Sequence, residues 1–365
     1  MNAPALAMMT NEHLRERRRR VQLLSLGLLL LLGCLLSVGI GAVAIDPLQL
    51  LAILVERVTG LDSGVAFGRR EEIVLLSIRL PRLVLGIVVG AALGIAGAVL
   101  QGLFRNPLAD PALIGVSSGA AVGAVLVIVL GAPLAALLPV LLADFLIPAA
   151  AFLGGLLVTA LVYLMAQRQG GTDVATLLLG GVAMNAIAAA IVGVMIFMSD
   201  DQQLRDLNFW LLGSLAGATW DKVLIALPVI IVAIAALFSL HRFLNAMLLG
   251  EEAAQFLGLP VETAKRLCVL LVALATGGAV AMTGVVAFVG LVVPHMVRMI
   301  IGPDHRLLLP GSCLGGALVV VLADLLARTV AVPADLPLGI VMSLTGGPFF
   351  IWLLLRRRGM TSWGQ

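Results

Sequence analysis

Long apolar runs alternate with short polar connections along this chain, and most of the runs have the length of a bilayer-crossing helix. Ten segments stand out, at approximately residues 21–45, 83–103, 110–130, 146–166, 174–198, 221–240, 267–282, 284–301, 307–327 and 338–355. Gly and Pro shorten or interrupt several of them, so the boundaries near Thr283, Gly284 and Pro294 are the least defined. The pattern predicts an all-α polytopic membrane protein of about ten transmembrane helices. Its organisation is a basic tail at 1–20, a single membrane domain at 21–358 and a short tail at 359–365.

The first run follows Arg15, Arg17, Arg18, Arg19 and Arg20 and ends near Ala42-Val43-Ala44, which imitates a signal-peptidase site. A signal peptide has an apolar part of roughly 7 to 15 residues, whereas this run is about 25 residues long, enough to span a bilayer. The length favours a retained first span.

Composition supports lipid as the solvent, with 61% hydrophobic and 12% charged residues. Forty glycines suit helices whose backbones approach closely. Cys34, Cys268 and Cys313 lie singly in apolar segments, without the spacing of a metal site or a disulfide framework. The net charge of +3 comes from basic residues beside apolar runs and not from one stripe, which argues against a nucleic-acid partner. With the amino terminus inside, most of the 23 lysines and arginines fall in inner segments, among them Arg105, Arg168, Arg242, Lys265, Arg266, Arg298, Arg306 and Arg356 to Arg358. This bias puts both termini in the cytoplasm of a bacterial inner-membrane protein.

The longest inner loop, 241–266, reads as two short helices hinged at Gly250, with Glu251 and Glu252 at a helix N-terminus and Gly258 and Pro260 ending it. It offers a partner surface, although a solvated linker has the same pattern. No Gly-Lys-Ser/Thr phosphate cradle exists, because the two lysines are Lys222 in Asp-Lys-Val and Lys265 in Ala-Lys-Arg. The chain therefore does not read as an ATPase. Asp324 is the clearest ionisable group within a span, and Arg328, four residues on, makes a structural ion pair the better reading than a proton relay. His13 and His241 fall near the inner surface and His295 and His305 on the inner side, so no histidine is placed as a midplane metal or haem ligand. Met184, Met195 and Met198 share one run and offer soft contacts to a metal macrocycle, or ordinary packing.

The stretch 79–123, RLPRLVLGIVVGAALGIAGAVLQGLFRNPLADPALIGVSSGAAVG, strongly resembles the FecCD family of importer permeases for siderophores, haem and vitamin B12. NAMLLGEEAAQFLGLP at 245–260, VAFVGLVVPHMVR at 286–298, DHRLLLPG at 304–311 and the closing DLPLGIVMSLTGGPFFIWLLL look like further family motifs in family order. The resemblance implies the vitamin-B12-permease-like fold of a type II ABC importer. It also implies a homodimer with the passage at the two-fold interface, two cytosolic ATPase subunits that carry ATP and Mg, and a periplasmic binding protein docked outside. No permanently bound cofactor or metal is implied.

Carried over residue by residue, the coupling positions are Met247, Leu248, Leu249, Gly250, Glu251, Glu252, Ala253, Leu257 and Gly258. Docking of the binding protein falls to Arg79, Arg82 and Arg328, for which snorkelling near the headgroups is the plainer alternative. The cytoplasmic gate resembles Asn106-Pro107-Leu108, with the loop Gly170 to Thr176 as its companion. There Val174 and Ala175 stand where the vitamin B12 permease has small hydroxyl residues, which suits a flat macrocycle better than a polar corrinoid. The segment from Leu204 to Trp210 and the phrase DPALIGVSSGAA look closest to haem permeases, which makes haem the expected cargo, with an iron–siderophore next and cobalamin last. Two readings of another class are a proton-coupled transporter, which would need charged residues through the spans, and a purely structural membrane subunit.

Overall fold

The computed structural model describes residues 3–41, 43, 45–168, 171–332 and 334–361; Ala42 and Ala44 of the imitation cleavage site, and Gly170 of the companion gate loop, lie outside the described residues. Seven helices are long and apolar enough to cross a bilayer: Glu16–Gly39, Arg69–Leu103, Leu146–Ala166, Val174–Met198, Trp220–Ser239, Val261–Thr283 and His305–Val330. Three shorter apolar helices, Val116–Leu130, Val289–Ile301 and Leu338–Trp352, bring the number among the described residues to the expected ten. The fold is thus an all-α polytopic bundle, with a two-stranded ribbon, Gln167–Arg168 against Gly171–Thr172, as its one described extended element.

Several boundaries differ from those read in the sequence. Helix Arg69–Leu103 starts fourteen residues before the expected 83, through a polar first turn and a π-helical stretch at Val74–Arg79. Pro81 has no N–H to donate and crowds the preceding turn, which the wider π geometry relieves. The segment expected at 284–301 is helical only from Val289. That expected at 110–130 is helical from Val116, behind a 3-10 turn at Pro111–Ile114 capped by Asp110. Within the 3-10 turn the backbone bonds close locally, Leu113 N donating to Asp110 O at 3.0 Å and Gly115 N to Ala112 O at 3.1 Å, and just before the gap between helices at 284–288 Thr283 O accepts from Ser214 N at 2.7 Å. The loop expected at 241–266 gives up its last six residues to helix Val261–Thr283. Helices Ala3–Gly39 and Leu338–Thr361 run through the tail boundaries expected at 20 and 358, so both tails begin as helical continuations.

Helix Arg69–Leu103 is the axis of the bundle, and from Val89 to Leu103 every residue is buried. Small residues make this possible. A Cβ on Gly90 would fall 2.3 Å from the Gly316 carbonyl oxygen, and one on Gly316 2.0 Å from that of Gly90, so helix His305–Val330 lies directly against its backbone. Gly90→Val is expected to cost at least about 1–3 kcal/mol through overpacking and to lower the midpoint of thermal unfolding in detergent. An unchanged midpoint would show that the two backbones separate without penalty.

Candidate coupling and gate assembly

At the end of the bundle that carries the amino-terminal tail, helix Trp220–Ser239 gives way to two short helices, His241–Met247 and Glu251–Phe256. Between them Gly250 adopts φ +114°, a region that side chains other than glycine's rarely enter. Beyond Phe256 the chain turns at Gly258, φ +78°, before Pro260. Of the residues expected to couple, Leu248, Leu249, Glu252, Leu257 and Gly258 are exposed, and Gly250, Glu251 and Ala253 are half-buried. Met247 is 1% exposed and belongs to the core, which corrects its expected place on a partner surface. Phe256, which the sequence reading passed over, is 91% exposed, and Leu249 is 73% exposed.

Both short helices are fastened to the bundle by polar contacts. Asn245 Nδ2 donates to Asp304 Oδ1 at 2.7 Å, and its Oδ1 accepts from His305 N at 2.8 Å and Nδ1 at 3.0 Å. His305 is fully buried, with its ring against Gly102 of the axial helix. Burial works against the Asp304 carboxylate, but the Arg306 N–H and the Asn245 amide hold it below the usual carboxylate range. The second short helix is held by Lys265, one turn into helix Val261–Thr283 and only 3% exposed at its side chain. Its ammonium pairs with Glu251, with Glu262 Oε1 at 2.9 Å and with the Thr172 carbonyl at 3.2 Å. Glu262 Oε2 accepts in turn from Thr172 N at 2.8 Å and Oγ1 at 2.9 Å.

Thr172 ends the ribbon that joins helix Leu146–Ala166 to helix Val174–Met198, and the next residue, Asp173, caps the latter by accepting from Ala175 N and Thr176 N. The Thr176 hydroxyl is the main reason that the Asp173 carboxylate sits below its ordinary range. Val174, half-buried, and Ala175, exposed, therefore follow directly on the polar cluster. The other segment expected to gate is a tight turn: Asn106 Oδ1 accepts from Leu108 N at 3.0 Å and its backbone oxygen from Ala109 N at 3.1 Å, with Pro107 between. Arg105, at φ 49°, brings this turn beside the hinge, where a Cβ on Gly250 would lie 3.8 Å from its Nη1. The structure thus brings the two segments expected to gate, 106–108 and 171–176, next to the segment expected to couple. Glu262 and Lys265 carried a legible signal, since opposite charges three apart on a helix can pair. The contact of Asn245 with Asp304, 59 positions away, carried none.

At the opposite end the three arginines expected to meet a partner are turned inward. Arg79, 5% exposed, donates to the carbonyls of Val38 (2.5 Å), Gly39 (3.1 Å) and Val43. Arg82, also buried, donates through Nε to both Asp324 oxygens at 2.9 and 3.0 Å and through Nη1 to Asp335 at 2.6 Å. Arg328 donates to Ser37 Oγ at 3.0 Å and its backbone oxygen, with its Nε 3.7 Å from Asp324. The expectation of free docking charges is corrected here: a guanidinium stripped of water at this depth needs anions or carbonyls, and the fold supplies them internally. The Asp324–Arg328 link expected from their spacing is present, as the weaker arm of the Arg82 cluster.

The three methionines do not converge. Met195 is buried with Val125 and Leu207, Met184 packs at the edge of the main core and Met198 is exposed. This corrects Met195 as a pathway contact, because its sulfur is taken up in packing within the chain. Helix Val174–Met198 nevertheless leaves an apolar face uncovered by the rest of the chain, including Leu179, Val182, Ile187 and Val194.

Comparison with known proteins agrees with this architecture. The FecCD transport family matches residues 29–356. The hemin transport system permease protein HmuU of Yersinia pestis is 47% identical over 79% of this chain and 84% of its own length. The cobalamin import system permease protein BtuC of Halobacterium salinarum is 45% identical over 80% and 76%, respectively, and the vitamin B12 import system permease protein BtuC of Vibrio cholerae 38% over 94% and 96%. A solved structure, described as an inward-facing conformation of an ABC transporter assigned to the metal-chelate type, superposes with a TM-score of 0.79 at 31% identity, covering 92% of this chain and 99% of that one.

Proposed function

Because this chain belongs to the FecCD transport family, and so is the membrane permease subunit of an ABC importer in the bacterial inner membrane, we propose that it passes haem inward as a homodimer. The end that carries the amino-terminal tail is the cytoplasmic one, and both termini lie there. The family works with ATPase and binding-protein partners. In this reading two ATPase subunits, which hold ATP and Mg, receive Leu248, Leu249, Glu252 and Leu257 together with the exposed Phe256. Asn106, Pro107, Leu108, Val174 and Ala175 form the gate between the passage and the cytosol. A periplasmic binding protein docks at the other end, where Arg79, Arg82 and Arg328 hold the shape of the rim from within.

The observation that supports haem is the apolar face of helix Val174–Met198, beyond Val174 and Ala175, which the rest of the chain leaves uncovered; in this reading it lines a passage between two copies of the chain. Similarity to the Yersinia hemin permease supports the same cargo. An apolar wall holds a flat macrocycle loosely enough to release it, which conduction requires. Cobalamin is the second reading, favoured by the similarity to two BtuC proteins.

The test is reconstitution in liposomes with the cognate ATPase and binding protein, offering haem, an iron-free porphyrin, a ferric siderophore and cyanocobalamin. ATP-dependent uptake of haem, and of the iron-free porphyrin whenever the binding protein loads it, is the expected result. Uptake of cyanocobalamin or siderophore without haem would overturn the cargo and leave the permease standing. Loss of haem uptake on changing Met184 or Met198 to Leu would show that the passage ligates iron.

A further inference from the structure

We propose that Lys265 is a positioning residue that locks the coupling segment to the gate ribbon, so that displacement of helix Glu251–Phe256 reaches helix Val174–Met198 as one rigid movement. The proposal rests on the reading of Glu251–Phe256 as the element that the ATPase moves.

A lysine side chain with 3% exposure at the start of a membrane helix must be compensated, and here every hydrogen on its ammonium has an acceptor. The acceptors come from three different elements. Glu251 begins the coupling helix, Glu262 shares the first turn of helix Val261–Thr283 with Lys265, and Thr172 closes the ribbon 93 positions away. Glu262 binds Thr172 a second time from the other side, through its backbone N–H and its hydroxyl. The Thr172 hydroxyl also meets Tyr163 at 3.1 Å, which ties the end of helix Leu146–Ala166 into the same knot.

The contact leaves little play. Gly171 has φ +135°, and a Cβ there would fall 2.6 Å from Glu262 Oε1, so the ribbon closes on Glu262 only with glycine at this position. From Thr172 the chain passes to Asp173, whose carboxylate caps the helix that begins with Val174 and Ala175. An unbroken series of short polar contacts therefore runs from the coupling helix through Lys265 and Glu262 to the gate. Among the described residues the first short helix is tied elsewhere, Asn245 binding Asp304 and His305. An ion pair that only stabilised the fold would change the amount of working importer. A rigid link changes instead how much transport each hydrolysed ATP produces.

The experiment compares wild type, Lys265→Met, Lys265→Arg and Gly171→Ala in liposomes with the cognate ATPase and binding protein, with haem and cyanocobalamin supplied in parallel. Lys265→Met is expected to keep ATP hydrolysis while uptake per ATP falls roughly tenfold, within the range for coupling between two sites. Lys265→Arg, which restores the charge and the donors, is expected to recover most of the ratio. Unchanged uptake per ATP in Lys265→Met, or hydrolysis and uptake falling in proportion, overturns the proposal. If Lys265→Met does not insert, Gly171→Ala decides by the same ratio.

A second measurement needs no transport. Nitroxides on Gln167→Cys and Gln255→Cys, both at exposed positions, report the separation of ribbon and coupling helix in the permease–ATPase complex with and without nucleotide. A narrow separation, constant across nucleotide states with Lys265 or Lys265→Arg and broadened by Lys265→Met or Gly171→Ala, supports the link. Equal distributions in all variants overturn it. Wild type without ATP-driven uptake would instead count against the importer reading, and the nitroxide separation would still decide the link.

Discussion

Arg82→Leu is expected to destabilise the permease by about 3–5 kcal/mol, the usual cost of removing one partner from a buried ion pair. Asp324 has 6% side-chain exposure and would keep only Arg328 at 3.7 Å, a distance at which no hydrogen bond forms. Asp335, one third exposed, can turn to water. The check is the midpoint of thermal unfolding in detergent, with the amount of folded protein recovered from membranes. The double variant Arg82→Leu, Asp324→Leu is expected to regain much of the loss, since a buried ion pair replaced by apolar side chains is often near neutral. If Arg82→Leu unfolds at the wild-type midpoint, the cluster does not hold helices Arg69–Leu103 and His305–Val330 together. The inward orientation also bears on docking: charge reversal of these arginines would weaken the rim before it weakened any binding-protein contact.

Gly250→Pro is the second change with a large expected effect. Proline fixes φ near −65°, whereas Gly250 stands at +114° and its N–H donates to Met247 O at 3.1 Å. Forcing this turn away from its geometry costs on the order of 1–3 kcal/mol and redirects the exposed Phe256 and Leu257. Uptake in reconstituted vesicles is expected to fall about tenfold or more, the factor that about 1.4 kcal/mol represents, while the chain still inserts. Reversing both Glu251 and Glu252 to Lys is expected to act in the same direction, because Lys at 251 would face Lys265. Glu252→Lys alone is expected to be mild: the side chain is exposed and loses only its favourable place at the helix N-terminus. Full uptake by Gly250→Pro or by the double charge reversal would remove 241–266 as the coupling element.

Much of the architecture was legible before any coordinates, and for a local reason. A run of about 20 apolar residues is stable in lipid only as a helix, because its backbone hydrogen bonds must close within the segment. Counting such runs therefore counts helices, and ten were found among the described residues. Gly250, between the apolar end of one short helix and the acidic start of the next, marks a turn for an equally local reason, the freedom of a residue without a Cβ. The long motifs placed the chain in its family, whose model matches residues 29–356.

What the tertiary structure decided concerns where charges point. Arg79, Arg82 and Arg328 read as outward charges because a basic residue beside an apolar run reports only which side of the membrane it prefers. Their partners lie far along the chain, Asp324 at 242 positions from Arg82, and no periodicity announces such a pair. Lys265 was counted as a loop charge although Glu262 lies three positions away, and its contact with Thr172, 93 positions away, carried no signal at all. Met195 and Met198, three residues apart, shared one expected role until packing buried one and exposed the other. Segment identity depends on the solvent that a local stretch requires, so the sequence alone determined it. Charge pairing depends on which distant elements are brought within about 3 Å of each other, and only the folded chain decides that.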